Sequence, residues 1–215
     1  MNWSGVIFDM DGLMIDSEPI ALEAWRALAA EYDREVPTEL YQQVIGKTPI
    51  YGVRHLRSEL NLPIEANELL EEYWSRRTAL MCAKVKPSEG LVKLLDLLRE
   101  QEVATAVASN SPCDYLLAVL KSLGLEIYFE CVLSSEDVDR GKPAPDVYRS
   151  ALECLGIDAA KALVLEDSPA GIEAAKAAGL TCYAVPNGEL AGADFSAADR
   201  IFGSLNDVID VLIKG

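Results

Sequence analysis

Residues 5–19 read GVIFDMDGLMIDSEP. The stretch begins as an apolar run, Val6, Ile7 and Phe8, and then delivers acids: Asp9 and Asp11, with Asp16 and Glu18 close behind. An unpaired charge near a core is costly, so a buried strand rarely ends in carboxylates that have no task. Runs of the same apolar kind recur. Val6–Met10, Ala104–Ser109, Cys131–Ser135, Ala162–Glu166 and Thr181–Val185 read as buried strands, and Arg200–Phe202 as a weaker edge strand. Apolar strands separated by helical patterns predict a parallel sheet covered on both faces.

The intervening helices have readable ends. Leu91, Leu94, Leu95 and Leu98 form one apolar stripe. Ser111-Pro112 is expected to start the next helix as N-cap and first residue, with Gly124 as its stop; Pro145 to Gly156 and Ser168-Pro169 to Gly179 frame two more. From Pro87 onward the pattern alternates helix and strand, which predicts a doubly wound α/β core. Residues 17–82 differ: they show helical spacing (Ala24, Trp25, Leu28, Ala29; Leu69, Leu70, Tyr73, Trp74) and no strand. An insert of about 65 residues is too long for an ordinary connection and reads as a small helical domain. The expected division is a core of residues 1–16 and 83–215 and a cap of 17–82, hinged near Leu13–Ser17 and Cys82–Pro87. Leaving from the carboxyl end of a strand, the insert is expected over the edge where α/β sheets bind ligands.

Composition narrows the function. The chain has 215 residues, half of them hydrophobic, and 35 Asp and Glu against 19 Lys and Arg, a formal net charge of −16. That field disfavours nucleic acid and anionic membranes as partners. It also repels an anionic substrate unless a bound cation reverses the sign locally. The five cysteines are scattered without a CxxC pair and read as a reduced, cytoplasmic set of core fillers. Residues 1–11 lack the basic head of a signal peptide, and no apolar run approaches a membrane span. A monomer is expected.

In an open parallel sheet, ligands gather beyond the carboxyl ends of the strands. There the first strand delivers Asp9 and Asp11, the second Ser109 and Asn110, the segment after the third Lys142, and the fourth Glu166 and Asp167. Carboxylates meeting at one point call for a hard cation. Mg²⁺ takes one or two of them and keeps its other positions for water and phosphate. Asp9, Asp167 and Glu166 suit that task, with Lys142 and the helix start near Ser111 facing the phosphate. One aspartate can then attack phosphorus in line while the other protonates the leaving oxygen and later deprotonates water. Asp9, next to the strand, is read as the nucleophile and Asp11 as the acid/base. Ser109 and Lys142 would hold the phosphoryl oxygens.

These segments resemble the four motifs of the haloacid dehalogenase-like superfamily. FDMDG is similar to the first, VASNS to the second, GKPAPDVY to the third and LEDSPAGIEAAKAAG to the fourth, in family order over the whole chain. The insert resembles the helical cap of the subgroup with β-phosphoglucomutase and small sugar-phosphate phosphatases. The resemblance implies a Rossmann-like sheet ordered 5-4-1-2-3. It also implies Mg²⁺ held by Asp9, the backbone carbonyl of Asp11 and Asp167, with Glu166 bound or just behind, and a cap that opens and closes. Two departures bear on the activity. The mutases carry a His where this chain has Ala21, and an Arg in a cap loop that here reads GKTPIYG.

The expected function is therefore a Mg²⁺-dependent phosphatase of a small phosphorylated metabolite, a sugar or polyol phosphate, acting through an aspartyl-phosphate. A hexose-phosphate mutase is the nearest rival. A phosphorylation-sensing module is a third reading, disfavoured because it has no use for a cap. Among the basic cap residues Lys47, Arg54, His55, Arg57, Arg76 and Arg77, most read as a solvated face. Lys47, beside Gly46 in a loop, is the candidate substrate contact, and Asn110 is a second. Ser168 reads as a helix cap alone, and Trp25 and Trp74 as cap core.

Overall fold

The computed structural model describes residues 2–190 and 192–214. Six strands form one sheet: β1 (Gly5–Phe8), β2 (Ala104–Ser109), β3 (Cys131–Ser134), β4 (Ala162–Glu166), β5 (Thr181–Ala184) and β6 (Arg200–Ile201). Their order is β3-β2-β1-β4-β5-β6 and every pairing is parallel. The doubly wound α/β sheet expected from the sequence is thus present, with β6 added at one edge. Side chains on successive strand residues point to opposite faces. Ile7, Ala106, Ala108, Val164, Cys182 and Ala184 share one face with the buried residues of α7 (Asp146–Leu155) and α8 (Pro169–Ala177). The alternate residues Val6, Phe8, Leu163 and Leu165 are equally buried, which is why these strands read as continuous apolar runs.

Three more helices belong with the sheet: α5 (Leu91–Glu100), α6 (Cys113–Leu123) and α9 (Leu205–Lys214). Leu91, Leu94, Leu95 and Leu98 are the buried residues of α5, as their spacing predicts. The remaining four helices lie in the insert: α1 (Glu18–Ala30), α2 (Thr38–Gln42), α3 (Pro49–Leu60) and α4 (Ala66–Lys84). The chain divides into two compact units, one ending at Asp16 and resuming at Lys86, the other Ser17–Val85. Within the sheet unit the two crossings are tied together: Ile15 bridges Asp11 on one side and Pro87 on the other, and Ser88 N–H donates to Met14 O at 2.8 Å. The helical unit has its own core, in which Trp25 stacks on Tyr73 with ring centroids 4.6 Å apart.

Two local expectations are corrected. The cysteines are not all separate: Cys131 and Cys154 form a disulfide, and Cys82, Cys113 and Cys182 are free. Packing of α7 on the edge strand β3 brings the two Cα atoms to 6.5 Å, within bonding reach. Ser111 is not the N-cap of α6; Pro112 holds that position without a side-chain cap. Ser17 begins α1 but its hydroxyl caps nothing and is buried. Among the described residues, no helix is long and apolar enough to cross a membrane.

Candidate active site

Register places the strand ends. Phe8 lies level with Val107 on β2 and with Leu165 on β4. The residues that follow, Asp9, Ala108–Ser109 and Glu166–Asp167, therefore stand at one height on three adjacent strands. Burial makes each polar group there need a partner. Lys142, on the segment after β3, supplies the only buried ammonium among the described residues. Its three protons go to Asp9 Oδ1 at 2.5 Å, Glu166 Oε1 at 2.6 Å and the Ala108 carbonyl at 2.8 Å. Burial works against that charge, but the facing Asp9 and Glu166 outweigh it and hold the Lys142 pKa above its usual value.

Glu166 is enclosed completely. Oε1 accepts from Lys142 and from Tyr148 Oη at 2.6 Å. Oε2 accepts from the Asp167 and Ser168 N–H groups and the Ser168 hydroxyl at 3.0–3.2 Å. Five donors more than take up a carboxylate's roughly four lone-pair sites. The carboxylate can lie this close to α8 because residue 171 is glycine: a Cβ there would stand 1.7 Å from Oε1. Ser168 does cap α8, accepting from Gly171 N–H at 3.1 Å, but it also donates to Glu166.

One oxygen from each of Asp9, Glu166 and Asp167 lies within 4.8 Å of the others. Burial, opposed by Lys142 and reinforced by Glu166, pushes the Asp9 carboxyl from 3.8 up to about 8. Asp167 is raised well above its usual value by burial and then by Asp9 and Glu166. Three enclosed carboxylates facing one ammonium lack positive charge, and an all-oxygen donor set suits a hard divalent cation. Gly12, at φ +91°, leaves the room this needs: a Cβ there would stand 1.9 Å from Asp167 Oδ2. Asn187 donates to that same oxygen at 3.0 Å.

Asp11 lies beside this group, its Oδ2 accepting from Ser111 Oγ at 2.6 Å and its Oδ1 from Tyr115 Oη at 2.7 Å. Ser109 is buried, and its hydroxyl oxygen accepts from Ser111 N–H at 3.1 Å. Asn110 does something other than expected. Its amide brackets the Lys142 peptide, accepting from Lys142 N–H at 2.8 Å and donating to its carbonyl at 3.0 Å, so it locks one loop to another. A side chain bonded at both ends to the backbone is poorly suited to take substrate. Lys47 belongs to the helical unit and is exposed in the turn before α3. Of the other cap cations, Arg77 is no solvated residue: it is buried, its guanidinium 5.0 Å over the Trp74 ring. Arg57 hydrogen-bonds the Ile64 carbonyl and pairs with Glu65.

Sequence reasoning missed Tyr115, Tyr148 and Asn187, and read Ser111 only as the start of a helix rather than as the partner of Asp11. A Ser before Pro reads as a cap, tyrosines within helical apolar stripes read as core, and Asn187 before Gly188 reads as a turn. None carries a signal until its neighbours are known.

Comparison with known proteins bears on the same segments. The chain is 31% identical over 175 residues, 81% of each chain, to the phosphorylated carbohydrates phosphatase of Thermotoga maritima. It is 32% identical over 186 residues to hexitol phosphatase B of Escherichia coli, covering 84% of this chain and 82% of that one. The crystal structure of CbbY from Rhodobacter sphaeroides in complex with phosphate shares the fold, with a TM-score of 0.87, 24% identity and 96% of each chain covered. A sequence profile described as haloacid dehalogenase-like hydrolase matches residues 6–185, from within β1 to the residue after β5, and the chain belongs to that family.

Proposed function

We propose that this chain is a Mg²⁺-dependent phosphatase that hydrolyses a sugar or polyol phosphate through an aspartyl-phosphate. One observation carries the reading: Asp9, Glu166 and Asp167 share a buried site with a single balancing ammonium, at the carboxyl edge of a parallel sheet. Asp9, the Asp11 backbone carbonyl and Asp167 would hold the ion. Glu166 is already filled by protein donors and stands behind them as the anchor of Lys142. When bound, Mg²⁺ supplies the positive charge that an anionic ester needs in a chain of net charge −16.

The chain's own residues do the rest. An Asp9 carboxylate oxygen attacks phosphorus, and the bond to the leaving oxygen breaks as Asp11 donates its proton there. Asp11 then takes a proton from water, whose oxygen attacks the same phosphorus and releases Asp9. Lys142, fixed by Glu166 and the Ala108 carbonyl, aims Asp9 and opposes charge growing on the phosphoryl group. Ser109, with its hydroxyl oxygen already accepting a backbone N–H, has its proton to give to a phosphoryl oxygen. The helical unit is the part proposed to select the leaving group, with Lys47 as its candidate contact. The names of the two relatives above, which act on phosphorylated carbohydrates and hexitols, support the substrate class.

The test is phosphate release over a panel of sugar, polyol and nucleotide monophosphates with Mg²⁺. Asp9→Asn should lower it by at least ~10³-fold, as loss of a covalent nucleophile does. Turnover by Asp9→Asn at the parent rate would remove the nucleophile. Conversion of β-glucose 1-phosphate to its isomer without phosphate release would identify the mutase instead.

A further inference from the structure

The carboxyl group of Asp11 is held on both oxygens, by Ser111 on Oδ2 and by Tyr115 on Oδ1. Tyr115 is wholly enclosed in the first turn of α6. A phenol in such a place needs a partner for its hydroxyl, whereas phenylalanine would fill nearly the same volume without one. The partner here is a carboxylate 104 residues away in sequence, two positions beyond the proposed nucleophile. Two hydroxyls reaching different oxygens fix both torsions of an aspartate side chain. Removing either donor takes away one of those two constraints. Ser111 is in turn fixed by its neighbours: its N–H donates to Ser109 Oγ, and Ser134 Oγ donates to its carbonyl at 2.8 Å.

We propose that Tyr115 is a positioning residue for Asp11: with Ser111 it sets the carboxyl where its proton meets the leaving oxygen of the ester. The assignment rests on the phosphatase reading above. It makes a distinction that simple packing does not. Proton donation matters most when the leaving group is a poor one, such as the alkoxide of a sugar, and little when it is p-nitrophenolate. A positioning defect at Asp11 must therefore fall unevenly on the two kinds of ester, whereas a general loosening of the fold falls on both alike.

The experiment compares kcat/KM of Tyr115→Phe and the parent on a sugar phosphate and on p-nitrophenyl phosphate. Loss of one hydrogen bond to a charged group should lower the sugar-phosphate value about tenfold or more, with a several-fold smaller loss on p-nitrophenyl phosphate. In an Asp11→Asn background, Tyr115→Phe should add no further loss on the sugar phosphate, because the two act as a unit. Ser111→Ala, which removes the other donor without touching the ring, should give the same split and serves if Tyr115→Phe does not fold. Equal losses on both esters, no loss at all, or a lower melting temperature with the substrate ratio unchanged would reduce Tyr115 to a packing residue. If the parent releases phosphate from neither ester, the phosphatase reading itself fails and this one with it; if the parent is active and the split absent, only the assignment of Tyr115 falls.

Discussion

The two units of the chain hold buried polar groups by opposite means. In the sheet unit, each proton of Lys142 has an acceptor and Glu166 has five donors. In the helical unit the interior is almost wholly apolar, and the buried Ser17 hydroxyl has no hydrogen-bond partner among the described residues. Apart from the buried Arg77, charge there sits mostly on the outside, in pairs such as Lys84–Glu23 and Arg57–Glu65. Charges buried in a low-dielectric site persist only if their geometry is fixed, and fixed geometry can be aimed at a reacting atom. An apolar core with a charged skin constrains nothing so finely.

The comparison is broken most directly by deleting one lysine from each unit. Lys142→Met leaves Glu166 and Asp9 buried without their cation, which should cost about 3–5 kcal/mol and roughly 10 °C of melting temperature. Lys47→Ala removes an equal charge from an exposed turn and should change stability by less than about 0.5 kcal/mol. Thermal melts of both variants decide it. If the two fall by similar amounts, the ammonium of Lys142 is not the keystone of the crevice. If Lys142→Met instead stabilises the fold, its ion pairs are held for function at the cost of stability.

This contrast also explains what was legible in the sequence. Asp9, Asp11, Glu166 and Asp167 stood out because acids at the ends of apolar runs violate the ordinary pattern, and Lys142 only through the GKPAPDVY motif around it. The strands did too: Ala104–Ser109 and Ala162–Glu166 have the very bounds their composition implies. Groups that obey the ordinary pattern stayed hidden. Ser111 before Pro112 has every mark of a helix cap, yet its hydroxyl goes to Asp11. Tyr115 sits in a leucine stripe, and only tertiary contact gives its hydroxyl a purpose. Cys131 and Cys154 are 23 residues apart with no motif, so nothing short of the β3–α7 packing pairs them. In the cap, the same kind of basic side chain serves as core at Arg77 and as surface at Lys47, and composition does not tell them apart.

A second prediction sharpens the electrostatic half of the comparison. The Asp9 pKa is raised from 3.8 to about 8 by burial in the metal-free chain. Between those values the folded state keeps a proton that the unfolded state has lost, so the contribution of Asp9 to stability falls as pH rises through that window. A cation bound to the same oxygens displaces the proton, and its gain must grow over the same interval. The rise in melting temperature on adding Mg²⁺ should therefore be larger at pH 8 than at pH 5. At a concentration of about 100 times Kd the gain corresponds to roughly 2.7 kcal/mol. A gain that is flat with pH, or larger at pH 5, would mean that the ion binds away from the buried carboxylates.

The smallest effect is expected at the surface of the helical unit. Lys84 and Glu23 approach to 2.5 Å, the same separation as Lys142 and Asp9. Distance alone would rank the two pairs as equals. Lys84 and Glu23, however, are 48% and 45% exposed, against 4% and 10% for the buried pair. Water screens the outer pair, and two long side chains lose freedom in forming it. A double-mutant cycle on Lys84→Ala and Glu23→Ala should return a coupling of about 0.2–1 kcal/mol that shrinks in high salt. A coupling several times larger, or one indifferent to salt, would show that the helical unit also builds rigid charged contacts, and the division of labour between aimed chemistry and an adaptable surface would lose its physical basis.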